Sequence, residues 1–100
     1  MSMIQTGVVD LDSKNPLEEN GGVTSTFTRV TFPTPFPAGS KVIVIPAVQT
    51  FNGPQNPGIR LADVNKDGFL IRFNEVYATA AVKSDGLHAT ETVGWIATTV

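Results

Sequence analysis

The stretch Ile59-Arg60-Leu61-Ala62-Asp63-Val64-Asn65-Lys66-Asp67-Gly68-Phe69-Leu70-Ile71-Arg72-Phe73 decides the fold. Phe69, Ile71 and Phe73 alternate with Leu70 and Arg72, the two-residue period of a half-buried strand. Ile59 and Leu61 alternate with Arg60 and Ala62 in the strand before. Asn65-Lys66-Asp67-Gly68 between them is rich in residues that tolerate positive φ, so a hairpin is expected. It belongs in the middle of the core, with Arg60 on the face opposite Ile59 and Leu61.

Working outward, Ile4 to Leu11 reads as a first strand. Ser13 to Gly22, with Asn15-Pro16, Glu18-Glu19 and Gly21-Gly22, is a loop by composition. Val23 to Phe32 is rich in β-branched residues and reads as a strand, and the change of face after Phe27 predicts a bulge or bend near Thr28. Pro33 to Gly39 forbids regular structure and is expected to turn a corner between two sheets. Lys41 to Thr50 is the most apolar strand, and Pro46, which cannot donate to a ladder, puts it at an edge or a bulge. Phe51 to Gly58 is a second loop. Val76 to Gly86 reads as a loop rather than a helical turn. Ala89 to Val100 is the last strand, with Val93, Trp95 and Ala97 on its apolar face. About six strands and no helix predict an all-β fold, a six-stranded antiparallel β-sandwich spanning residues 1–100 as a single domain.

Composition narrows the function. Hydrophobic residues make up 41% of the chain, too many for disorder. A net charge of −2 and a pI near 5.1 give no electrostatic reason to bind nucleic acid or membrane phosphates. The absence of cysteine excludes a disulfide, a thiolate metal site and a cysteine nucleophile. Met1-Ser2-Met3-Ile4 is not a basic segment leading an apolar run, so no secretory leader is read there. The longest apolar run, Val42 to Val48, is too short to span a bilayer, so no membrane insertion is expected.

No catalytic constellation is visible: no supported Ser-His-Asp set, no phosphate-cradling glycine loop, no carboxylates that the sequence places together. The chain reads as a non-enzyme without a cofactor. Arg60 is the foremost candidate, because a guanidinium fork can clasp a pair of sugar hydroxyls or a carboxylate; the plainer reading is a surface or assembly arginine. Tyr77 offers an aromatic platform with a phenol donor, or a cap on the sandwich. His88 and Glu91, three apart, would point to opposite faces of a regular strand, so a shared site needs a turn or bulge between them. One histidine and no cysteine argue against zinc; a structural bond, for instance Glu91 with Arg72, is the alternative. Asp63-Val64-Asn65-Lys66-Asp67-Gly68 matches the start of an EF-hand calcium loop, but the twelfth position is Asn74, and a β-turn wants the same residues. Asp10, Asp12, Glu18 and Glu19 form an acidic stretch that reads as solvated loop. Trp95 is read as core.

The order of these segments resembles the H-type lectin family. Ile4-Gln5-Thr6-Gly7-Val8-Val9-Asp10 is similar to its opening strand, Val30-Thr31-Phe32-Pro33-Thr34-Pro35-Phe36 to its proline corner, and Asp67-Gly68-Phe69 to the turn into its fifth strand. Gly94-Trp95-Ile96-Ala97 resembles its last strand, and Ile59-Arg60-Leu61 matches the strand that carries its sugar-binding arginine. His88-Ala89-Thr90-Glu91 looks more like the related domains of bacteriophage tail fibres and bacterial secreted proteins. The family's Trp-His pair has no counterpart at Val76, Tyr77 and Ala78.

The resemblance implies a homotrimer with sites for galactose- or N-acetylgalactosamine-type sugars at the subunit boundary, working outside the cell or on a virion surface. Of the family's site residues Arg60 alone is matched; the ligand set expected around it adds an acidic or amide group from Glu18, Glu19 or Asn20 of the first loop, and Tyr77 or the Asp85 loop with His88 of a neighbouring subunit. A structural or receptor-binding tip domain without a sugar pocket is the second expectation. A calcium-dependent adhesion domain is the third.

Overall fold

The computed structural model describes residues 3–16, 23–53, 57–74, 77–79, 82–83 and 86–100. The chain is all-β. In order it forms β1 (Ile4–Ser13), a 3-10 turn (Thr24–Thr26), β2 (Thr28–Thr31), β3 (Val42–Val48), β4 (Ile59–Asn65), β5 (Gly68–Phe73), β6 (Tyr77–Thr79), β7 (Val82–Lys83) and β8 (His88–Thr99). Two antiparallel three-stranded sheets, β1-β8-β3 and β2-β5-β4, enclose one core in a sandwich-like arrangement, and β6 pairs with β7. Among the described residues no helix is long and apolar enough to cross a membrane.

The hairpin lies where the alternation puts it. β5 is the central strand of its sheet and sends Phe69, Ile71 and Phe73 inward, each 0–1% exposed. β8 is the central strand of the other sheet and answers with Val93, Trp95 and Ala97. Burying one such large apolar side chain stabilises the fold by roughly 1.5–3 kcal/mol, so these two strands dominate the packing. Trp95 lies against the backbone of Gly7, its direct partner on β1, where a Cβ would collide with the indole.

The proline-rich connection from β2 to β3 does turn the corner between the sheets. Phe32 N–H donates to Asp67 O at 2.9 Å and Phe36 N–H to Lys66 O at 2.8 Å, which lays the connection over the hairpin turn. The Phe32 ring then meets Phe36, Phe69 and Trp95 at centroid distances of 5.1–5.8 Å. Pro46 sits on β3, an edge strand, where its missing N–H costs no ladder bond.

Three expectations need correction. Val23 to Phe32 is not one strand: Thr24–Thr26 forms a 3-10 turn, and β2 begins at Thr28, where the apolar face changes. The segment read as a loop from Val76 to Gly86 holds two short strands, β6 and β7, which bring the strands among the described residues to eight. Its Ala-Thr-Ala-Ala run lacks the alternation that marks a strand. Glu91 does not bond to Arg72. Its partner is His88, and Arg72 belongs to the other sheet.

The calcium-like motif makes a turn. β4 carries a bulge between Ala62 and Asn65, with Asp63 at φ 49°. Asn65 Oδ1 accepts the Asp67 N–H at 2.8 Å, and its amide donates to Asp63 O at 3.1 Å. Asp63 Oδ2 lies 3.1 Å from Arg29 Nη2. The Arg29 hydrogen bond, then that of Asn65, holds the Asp63 carboxyl below the usual aspartate range. Each polar side chain of the motif is thus engaged within the hairpin or across to β2.

Candidate functional site

The strand directions divide the molecule into two ends. At one end, Met3 and Thr99 lie side by side, with the Thr99 N–H donating to Met3 O at 3.3 Å. The other end carries the start of β8, the end of β5, the start of β4 and the residues that follow β3. Arg60 and His88 belong to elements that meet there, and Tyr77 lies on β6. Glu19, Asn20 and Asp85 lie outside the described residues.

Arg60 is the second residue of β4, exposed on the outer face of its sheet. Among the described residues it has no ion pair and no side-chain hydrogen bond. Its direct cross-strand partner is Arg72 on β5. Alternation sends Arg72 outward too, yet it is only 5% exposed. Its Nη1 donates to Thr26 Oγ1 at 2.6 Å, its Nη2 to Pro16 O at 2.9 Å and its Nε to Phe73 O at 3.0 Å. Its guanidinium carbon stands 6.0 Å from the centroid of the Phe27 ring. The segment that begins at Pro16 and ends at Thr26 is therefore fastened at both ends to one side chain beside Arg60. Sequence reasoning missed this role, because alternation gives the side of the sheet and not what later covers it.

His88 and Glu91 do share a site. Leu11 pairs with Glu91 and Ser13 with His88, so β8 takes three steps where β1 takes two. That bulge turns Ala89 and Thr90 outward and brings His88 and Glu91 to one face. His88 Nε2 lies 2.5 Å from Glu91 Oε2, with the side chains 4% and 3% exposed. The His88 ring stands edge-on to Phe73, with centroids 5.4 Å apart.

Glu91 Oε1 also accepts the Asn52 N–H at 2.9 Å and the Thr50 hydroxyl at 3.4 Å. Burial pushes the Glu91 carboxyl up. The His88 bond, the Asn52 amide, the His88 charge and the Thr50 hydroxyl outweigh it, so the group titrates below its ordinary value. The buried carboxylate is a clasp that ties the residues after β3 to β8.

The outer face of the β1-β8-β3 sheet has a different character. Ile4, Val8, Ile43, Ile45 and Ile96 lie there, each between 46% and 72% exposed. An open groove of about 430 Å³ runs among Thr6, Val8, Ile45, Gln49, Gly94 and Ile96. It lies on the opposite sheet from Arg60, and no sequence reasoning singled it out, although the alternation of Val42 to Val48 leaves Ile43 and Ile45 on the face away from the core. Comparison with protein-family models, with curated proteins and with solved structures returns no match to this chain.

Proposed function

We propose that this chain is a carbohydrate-binding module that works as a homotrimer, with Arg60 as its central contact to a terminal galactose- or N-acetylgalactosamine-type sugar. The observation that carries the reading is the exposed Arg60 guanidinium, which no described carboxylate engages. A fork of donors suits adjacent sugar hydroxyls, which offer acceptors at a matching spacing. Arg72 supports it by fastening the segment that carries Glu19 and Asn20 to the neighbouring strand. Tyr77, Asp85 and His88 come from the segment that ends at β8; buried His88 acts by holding Glu91 rather than by touching the sugar.

The aliphatic face of β1-β8-β3 supports self-association. Soluble monomers seldom expose so many large aliphatic side chains on adjacent strands of one sheet, and such patches mark interfaces. A shallow single site binds weakly, and three linked copies raise the avidity without a new contact.

The same face favours a second reading, a structural or receptor-binding tip domain that assembles through it and uses no sugar pocket. A glycan array probed with the purified domain and its Arg60→Ala variant separates the two. Binding that vanishes in the variant supports the module; silence from a folded, assembled protein supports the tip domain.

A further inference from the structure

Asn52 and Gly53 are an exposed Asn-Gly pair that follows β3. Asparagine is thermolabile, and most so before glycine, which sets no side chain in the way of its own backbone nitrogen. Gly53 stands at φ 89° in open space: a Cβ there would meet nothing within 4 Å. The Asn52 side chain, in contrast, is tied down. Its Nδ2 donates to Thr90 O at 2.7 Å, and its backbone N–H donates to Glu91 Oε1 at 2.9 Å. Thr50 binds the same carboxylate, and its Oγ1 accepts the Thr92 N–H at 3.0 Å. The group that must turn for the side chain to react with Gly53 is thus the group by which β8 holds this segment.

We propose that Asn52 is a deamidation site guarded by the Glu91 clasp, and that its conversion releases the residues after β3 from β8 in one direction only. In the reaction the Gly53 nitrogen gives its proton to hydroxide and attacks Asn52 Cγ. The new N–C bond closes a succinimide ring while the side-chain nitrogen takes a proton from water and leaves as ammonia. Water then opens the ring at either carbonyl, giving aspartate or isoaspartate. Neither product can resume the old bonds. An aspartate sets an oxygen against Thr90 O where the amide set a donor, so two acceptors oppose each other. It also adds a negative charge to the residue whose N–H the buried Glu91 carboxylate accepts. An isoaspartate lengthens the main chain between Asn52 and Gly53. The guard follows from the same bonds: the side chain reacts only during the fraction of time that the clasp is open.

The test ages the wild type in mildly alkaline buffer, folded and in urea, and maps the conversion by peptide mass spectrometry. Asn20-Gly21, the other Asn-Gly pair of the sequence, is the reference in the urea samples. The expected result is similar conversion of both sites in urea and conversion of Asn52 slowed about tenfold or more in the folded protein. Asn52→Asp is expected to melt below the wild type and to lose hydrogen-exchange protection at the Asn52 and Thr92 amides. The deamidated fraction of the wild type, separated by its added charge, gives the same two readings without a variant. Conversion of Asn52 as fast in the folded protein as in urea would overturn the guard. Wild-type melting and protection in both the variant and the deamidated fraction would overturn the release. An Asn52 that stays intact in urea while Asn20 converts would overturn the site itself.

Discussion

Arg60 and Arg72 stand directly opposite each other on β4 and β5, on the same face of the sheet, yet one is exposed and the other is 5% exposed. The difference comes from the residues flanking the second loop, Pro16, Thr26 and Phe27, which close over Arg72 and leave Arg60 open. The two arginines therefore answer to different measurements. Arg72→Ala is expected to destabilise the fold by about 3 kcal/mol, because its charged hydrogen bonds are buried and its removal leaves acceptors unmet. Arg60→Ala is expected to stay within about 0.5 kcal/mol of wild type. Urea denaturation of both variants checks the contrast.

The Glu91 clasp makes a pH prediction. Its carboxyl titrates below the ordinary 4.5 in the folded chain and at its ordinary value when unfolded. Its contribution to stability is therefore fully present above pH 4.5. As the pH falls through that value, the unfolded chain takes up a proton that the folded chain still refuses, and the contribution is lost by the time the folded carboxyl is protonated. Glu91→Gln is expected to lower stability at neutral pH and to flatten the acid limb. Thermal melts of both proteins from pH 7 downward measure this, and parallel limbs would refute the clasp.

Gly7 predicts a packing effect with its own spectroscopic reporter. A Cβ at position 7 would meet the Trp95 indole, and the backbone of β1 is held by β8 on that side. Gly7→Ala is expected to cost about 1–3 kcal/mol and to displace the ring. Because Trp95 is the only tryptophan, a red shift in its emission reports the displacement directly.

The aliphatic sheet face predicts a change of assembly without a change of fold. Ile96→Lys and Ile45→Asp place charges among Val8, Ile43 and each other's neighbours on the outer surface, away from the core. Sedimentation is expected to show a trimer for the wild type and a monomer for both variants, with unaltered circular dichroism. A wild type that sediments as a monomer at high concentration would contradict the assembly.

What the sequence made legible was what alternation controls. Phe69, Ile71 and Phe73 against Arg72, and Val93, Trp95 and Ala97 against Ile96, give two strands and their inner faces from periodicity alone. Pro46 pointed to an edge or a bulge, and β3 is an edge strand. Where the structure departs, a non-local contact or a break in the period is responsible. The bulge that unites His88 and Glu91 is visible only once Leu11 and Ser13 fix the register from the far end of the chain. The burial of Arg72 depends on Pro16 and Thr26, which lie 56 and 46 residues away. The β6–β7 pair escaped because strands of three and two residues are too short to carry an alternating signal.

The central claim is that Arg60 binds sugar, and a glycan array run with the wild type and Arg60→Ala side by side tests it most directly. The account predicts binding of the wild type to galactose- or N-acetylgalactosamine-terminated glycans and its disappearance in a variant that melts at the same temperature. Silence of the folded wild type across the array, or equal binding by both proteins, would contradict it.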